Sequence, residues 1–268
     1  MERSPAVSGL FYPRSPEEAK SMLERFFGMV RPVSVPGRII GIVVPHAGWI
    51  YSGLTATHSY AAIREQDSRS FIIIGPNHQG YPPYAAVYPD GSWKTPLGSA
   101  RVSERLSNTV AVGGNVRRDT SAHSGEHSIE VQIPFLQHMY AEKFDFVPVV
   151  LGRQDMEIAR MLSDTLNSII SDSVIIASSD LTHYESHKTV VEKDKIAMDA
   201  IESLDTGEFY DVIRKEHVTA CGYGAIAILM NLTRKLGGKI ITLHHSTSGE
   251  ASGDYDAVVG YPSMLAYV

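Results

Sequence analysis

Eleven histidines and a single cysteine are the residues of this 268-residue chain best suited to chemistry, and several histidines stand just beyond apolar runs. The run Ile39–Val44, IIGIVV, leads through Pro45 to His46, and Phe71–Pro76, FIIIGP, leads through Asn77 to His78. An uncharged, β-branched run of this length reads as a buried strand, and proline, lacking an N–H, ends it. Polar residues delivered from the ends of such strands are a common way for an α/β fold to build a site. Neutral imidazole is the commonest metal ligand, so two histidines in equivalent places on neighbouring strands point to a bound ion. The plainer alternative has each ring bonding a nearby backbone carbonyl; it explains one such histidine more readily than a matched pair.

A third run, Val174–His183, reads VIIASSDLTH. An acid three residues before a histidine can orient the imidazole and raise its basicity, so Asp180 and His183 are candidates for a general-base pair. Asp180 or Ser179 capping the following turn is the structural alternative, and the two roles are compatible. Cys221 lies in TACGYGAIAILM, ahead of an apolar helix. There the helix dipole is expected to lower its pKa and make the thiolate available. One cysteine excludes an internal disulfide and leaves three roles: small core residue, metal ligand or nucleophile. In HSGEHSIE, His123, Glu126 and His127 match the letters of the H-x-x-E-H zinc peptidases. That chemistry needs a continuous helix. Gly125 interrupts it, so the segment reads instead as a helix entrance from which His127 or Glu126 faces the site. Of His244 and His245, at the end of a later strand, only one can point inward.

These residues need a scaffold of strands and helices, and the pattern supplies one. Ser15-Pro16-Glu17-Glu18 is an N-cap with proline at N1 and acids in the first turn, starting a helix that runs to about Phe27. With Gly48 and Gly53 as turn residues, a helix from Leu54 to Gln66 separates the first two histidine-bearing strands. Gln79–Gly98 is rich in Pro, Tyr and Gly and is expected to fold over the site as a hairpin or lid. A short helix at Ser103–Thr109 and a helix over Ser128–Tyr140, kinked by Pro134 or carrying it in an early turn, come next. A strand at Phe144–Leu151 and a helix at Met156–Ile170 precede the third run. Helices at Val190–Leu204, Phe209–Glu216 and Gly224–Leu236, then strands at Lys239–His244 and Ala257–Tyr261, complete the chain. The fold class is α/β: one domain over residues 1–268, a central mixed sheet flanked by helices.

Bulk properties narrow the function. A hydrophobic content of 43% supports a large core, and a net charge of −6 without a dense Lys/Arg patch argues against a nucleic-acid binder. No apolar run reaches membrane-spanning length and MERSPAVSGLFYP is not a signal peptide, so a cytoplasmic protein is expected.

Taken in order, SPAVSGLFYP, PHAGWIYSG, GPNHQG, EHSIEVQIPFLQ, SSDLTHY and ACGYGAI resemble the Memo family over nearly the whole chain. Its human member is known as a mediator of ErbB2-driven cell motility. The family's fold is similar to that of class III, LigB-type extradiol dioxygenases, which hold non-haem iron(II) with two histidines and a glutamate. The resemblance implies that His46 and His78 match those histidines, that Cys221 stands where the glutamate would be, that His183 with Asp180 matches the acid/base histidine, and that His127 is a further histidine of the site. A thiolate in place of a carboxylate shifts metal preference toward softer ions. One ion is therefore expected at His46, His78 and Cys221: iron(II) first, with copper or zinc as alternatives. The resemblance implies a metal pocket more strongly than it implies ring cleavage. Three functions follow. They are a metal-dependent oxidoreductase with His183, Asp180 and His127 as catalytic residues, a binding module for a small molecule or peptide, and a hydrolase with Cys221 as nucleophile and His183 as base.

Overall fold

The computed structural model describes residues 1–65, 69–80, 83–112 and 116–268. Its centre is four parallel strands in the order Asp145–Leu151, Ser70–Pro76, Ser173–Ser178, Ile39–Val44. Parallel strands carry helices on both faces, so both rows of side chains must be apolar. That is why IIGIVV is buried at all six positions. Ile72, Ile74, Val147, Val149, Ile175 and Ala177 join one core cluster. The alternating residues Phe71, Ile73, Phe146, Val150, Val174 and Ile176 join the other. Helices Met156–Leu166, His187–Ser203 and Tyr223–Lys235 contribute to the first, and Pro16–Met29, Trp49–Ile63 and Ile133–Tyr140 to the second. Each fully buried isoleucine here contributes about 1.5–3 kcal/mol of transfer free energy.

Further strands, in both parallel and antiparallel pairings, extend the centre into a single mixed sheet of twelve strands among the described residues. Val258–Tyr267 pairs with Ile39–Val44 and carries Lys239–Thr247 and the short His183–Glu185. On the other side Gly98–Val102 joins Asp145–Leu151, followed by Ser92–Thr95 and Glu2–Arg3. No helix among the described residues is long and apolar enough to cross a membrane.

The expected fold class holds, with four local differences. The two histidine-bearing strands are not neighbours, because Ser173–Ser178 lies between them and pairs with both. Helix Trp49–Ile63 starts five residues earlier than expected, with Gly48 as its N-cap. Gly53 is therefore inside the helix, where a Cβ would meet the ring of Phe26; it permits close packing rather than a turn. The expected end of that helix at Gln66 lies outside the described residues. The helix expected over Ser128–Tyr140 starts only at Ile133, behind a 3-10 turn at Glu130–Gln132, and Pro134 sits in its first turn, one of the two expected alternatives. Finally, the segment Gln79–Gly98, of which 81 and 82 lie outside the described residues, is not a lid. It supplies Ala85–Val87 and the hairpin Ser92–Thr95/Gly98–Val102 at the side of the sheet, and none of its described residues lines the histidine pocket.

Candidate metal centre

The carboxyl ends of the parallel strands bring the expected residues together. His46 follows Ile39–Val44, His78 follows Ser70–Pro76, and Asp180 follows Ser173–Ser178. Cys221 arrives from the loop ahead of helix Tyr223–Lys235. Gly222 makes that approach possible, since a Cβ there would run into the Ser178 carbonyl. The Gly222 N–H donates to Ser179 Oγ at 2.9 Å, and the amide of Gln154 donates to the Cys221 carbonyl at 2.8 Å. The loop is therefore held on both sides of the thiol.

The donor atoms of His46, His78 and Cys221 lie within 4.8 Å of one another, and Cys221 Sγ is 3.0 Å from His46 Nε2. Ligands at about 2.0–2.3 Å from a tetrahedral ion stand three to four ångströms apart, so these three fit one ion with small adjustments. Each histidine has its other nitrogen tied back. His78 Nδ1 bonds Glu126 Oε1 at 2.9 Å, and His46 Nδ1 bonds Ser178 Oγ at 2.9 Å. This leaves Nε2 to face the pocket in both rings, and a carboxylate behind a histidine is a recurrent device for fixing a ligand ring. Glu126 itself is 1% exposed and also accepts the backbone N–H of His78, His127 and Ser128.

His183 reaches the pocket from the end strand. Its N–H donates to Thr219 Oγ1 and its Nδ1 donates to the Leu181 carbonyl, both at 2.7 Å. The hydrogen bonds that hold His183 therefore go to Leu181 and Thr219 rather than to Asp180, the residue expected to orient it. Asp180 Oδ1 instead accepts the His46 N–H at 2.8 Å, although Asp180, His183 and Cys221 also place one donor atom each within 4.8 Å of the others. His127 stacks on His78 with centroids 4.5 Å apart and lies edge-on to His46 at 5.4 Å. Phe11 packs against its other side at 4.5 Å. Phe11 is placed by Glu130, which accepts the N–H groups of Ala6 and Val7 and the Tyr12 hydroxyl, and which pairs with the buried Arg3 at 2.7 Å.

Electrostatics treat the donors differently in the metal-free protein, keeping His46 and Cys221 neutral while favouring the protonated form of His78. Burial, with His127 and His78 nearby, pushes His46 well below the usual histidine range. Burial also takes His127 down to about 4. For His78 burial works the same way, but the Glu126 hydrogen bond and charge outweigh it and raise the pKa. Burial resists ionisation of Glu126 as well, yet the His78 bond and charge hold its carboxyl at about 2. The thiol departs from expectation: burial first, then the Asp180 carboxylate, raises the Cys221 pKa instead of lowering it. Cys221 precedes the helix N-cap Gly222, and desolvation outweighs the dipole there. An entering cation would therefore have to displace the thiol proton.

Phe11, Tyr51, Tyr184 and Tyr261 rim the pocket, a cavity of about 540 Å³ whose lining contains no Lys or Arg. His244 and His245 face elsewhere: His244 stacks on His58 at 4.3 Å, and His245 bonds the buried Asp194 at 2.8 Å. Sequence reasoning missed Ser178, Gln132 and Thr219, and saw Glu126 only as a residue near the site. Glu126 alone carried a usable signal, its place beside His127 in EHSIE.

A sequence profile described as Memo-like protein matches residues 3–265. A MEMO1 family protein of Thermoplasma acidophilum is 49% identical over 269 residues, covering 100% of both chains. One from Saccharolobus islandicus is 41% identical over 277 residues, covering 97% of this chain and 98% of its own. Among solved structures, an uncharacterized protein from Escherichia coli K12 matches with a TM-score of 0.52 at 10% identity, covering 85% of this chain and 100% of that one, which is a likeness of fold.

Proposed function

This chain belongs to the Memo family, and from that premise we propose that it binds one metal ion through His46, His78 and Cys221 and uses it for oxidoreductase chemistry. The observation that supports this best is the convergence of three donor atoms within 4.8 Å while both histidines have their second nitrogen engaged behind them. Iron(II) is the first candidate for the ion, with copper or zinc as alternatives favoured by a soft thiolate. When bound, the ion supplies Lewis acidity and, for iron or copper, one-electron redox capacity.

The protein's own residues then have separable tasks. Glu126 and Ser178 hold the two imidazoles in register. With Nδ1 committed to the Leu181 carbonyl, neutral His183 carries a bare Nε2 that can take a proton from a pocket ligand and return it. His127 and Phe11 form an aromatic wall that excludes water from one side of the site. Asp180 acts on His46 through its backbone N–H and adds negative charge beside His183. Metal analysis of anaerobically purified protein against Cys221→Ser tests the reading. Close to one ion per chain, lost in the variant, supports it; metal-free wild-type protein that also takes up none on titration ends it.

A second reading is a non-catalytic binding module for a small molecule or peptide. It draws on the rim, where Tyr184 is 78% exposed and Tyr51 40% exposed, as aromatic side chains at contact surfaces are. Ligand binding that survives loss of all three donors favours it. The hydrolase reading loses ground: the imidazole at hydrogen-bond distance from Cys221 is His46, not His183, and the thiol is held neutral.

A further inference from the structure

We infer that Gln132 and Ser178 are positioning residues that act through His46 by dictating which of its ring nitrogens carries the proton; this rests on the metal reading for its consequence, though not for its geometry. Ser178, Gln132 and Tyr60 are all fully buried, so every donor and acceptor among them must be matched inside the protein.

Counting hydrogens leaves one solution. The Gln132 amide nitrogen donates to the Pro45 carbonyl and to Ser178 Oγ, each at 2.9 Å, using both of its hydrogens. Its amide oxygen accepts the Tyr60 hydroxyl at 2.9 Å. Rotating the amide by half a turn would set its oxygen against the Pro45 carbonyl, acceptor to acceptor, so the orientation is forced. Ser178 has a single hydroxyl hydrogen, which goes to the Ser128 carbonyl at 2.6 Å. Its oxygen already receives one hydrogen from Gln132 and meets His46 Nδ1 at 2.9 Å, so Nδ1 must be the donor. Nε2 is then bare, and it is Nε2 that faces Cys221 at 3.0 Å.

The chain Tyr60–Gln132–Ser178–His46 thus prepares a lone pair for a cation. Without the Gln132 amide, Ser178 Oγ loses one of its incoming hydrogens and only the Ser128 carbonyl, at 2.6 Å, still draws its hydroxyl hydrogen away from Nδ1, so the arrangement with that hydrogen on Nδ1 becomes accessible. The His46 proton would then sit on Nε2, the nitrogen that must be unprotonated to ligate. Outer partners of this kind change metal affinity by about 10–100-fold.

The test uses the full chain in two measurements. Nitrogen NMR of the metal-free protein reads the His46 tautomer, and anaerobic cobalt(II) titration reads affinity and the thiolate-to-metal absorption. Gln132→Leu and Ser178→Ala are expected to move the proton to Nε2 or leave both forms populated, and to weaken cobalt binding about 10–100-fold. Ser178→Thr, which keeps the hydroxyl, is expected to restore both. Tyr60→Phe, a milder change should Gln132→Leu fail to fold, is expected to shift the tautomer in the same direction by a smaller amount. Ser59→Ala is the control, because Ser59 is an equally buried hydroxyl bonded to Val43, Ser263 and Met264 and to no residue of the Tyr60–Gln132–Ser178–His46 chain. It is expected to lower stability without moving tautomer or absorption. A His46 proton that stays on Nδ1 in Gln132→Leu and Ser178→Ala overturns the inference. Wild-type protein that takes no cobalt overturns the metal reading instead and leaves the tautomer measurement to decide this one.

Discussion

Cys221 Sγ rests 3.0 Å from His46 Nε2, although 175 positions separate them in sequence. One comes from a strand end and the other from a loop held by Ser179, just past the neighbouring strand, and by Gln154. In the metal-free protein a raised thiol pKa and a depressed imidazole pKa mean that this pair shares one proton, carried on sulfur. The proton occupies the place that a cation would take, so metal affinity is expected to rise with pH.

Glu126 is the next most telling residue. Glu126→Ala removes the acceptor of His78 Nδ1 and of three backbone N–H groups. Because buried donors are left unpaired, at about 1–3 kcal/mol each, a large drop in the urea midpoint is expected together with about 10–100-fold weaker metal binding. A variant with unchanged metal affinity would show that His78 needs no carboxylate behind it.

The metal-free protein is expected to lose stability as pH falls from 6.5. His46, His123 and His127 have folded pKa values below the unfolded histidine value, His127 at about 4 and His123 at about 3. Their contribution is present in full above 6.5 and is lost as pH falls through the folded values. For His127 it is on the order of 3 kcal/mol. Glu126, at about 2, adds a further loss below 4.5. His78, with a raised pKa, works oppositely and loses its contribution as pH rises above 6.5. Urea midpoints measured from pH 7.5 to 4 check the sum, and His127→Phe is expected to flatten the fall; an equally steep fall in that variant would rule out His127 as a main source.

Much of this architecture was legible in the residues. IIGIVV and FIIIGP read as buried strands because they are short, uncharged, rich in β-branched residues and bounded by proline, and Ser15 caps its helix by accepting the Glu18 N–H at 3.2 Å. Three strand ends carrying His46, His78 and Asp180 were enough to locate the site. Strand order was not legible, since nothing local in Ser173–Ser178 says that it must lie between the other two. Helix Trp49–Ile63 began earlier than expected because Gly53 is required by the Phe26 ring, a tertiary contact without a local signature. The positions of Ser178 and Gln132 behind His46 depend on three separate segments meeting, and no spacing records that.

The N-terminal segment is held by a buried ion pair, Arg3 with Glu130, whose side chains are 4% and 0% exposed. Glu130→Leu leaves the guanidinium buried without its partner and releases Ala6, Val7 and Tyr12. A loss of about 3–5 kcal/mol is expected. Because Phe11 lies in the freed segment, proteolytic cleavage near the N-terminus should quicken as well. Unchanged stability would mean that Arg3, over the Trp93 ring at 4.1 Å and bonded to three carbonyls, is sufficiently satisfied without the carboxylate.

Substituting His183 tests whether proton handling is separable from ligation. His183→Ala is expected to keep cobalt or iron affinity within a few-fold while removing any oxygen-dependent turnover, since its Nδ1 and N–H are anchored to Leu181 and Thr219 rather than to the His46–Cys221 pair. A large loss of metal on that substitution would make His183 a ligand, most simply together with Asp180 and Cys221.

The central claim is that His46, His78 and Cys221 hold one ion, and anaerobic cobalt(II) titration of the His46→Ala/His78→Ala double variant beside wild type tests it most directly. Wild type is expected to bind close to one ion per chain with a thiolate-to-metal absorption band, since a three-ligand site leaves one position open on a tetrahedral ion. The double variant is expected to lose both the tight binding and the band, and Cys221→Ser to lose the band together with affinity. Wild-type affinity and an unchanged spectrum in the double variant would contradict the account.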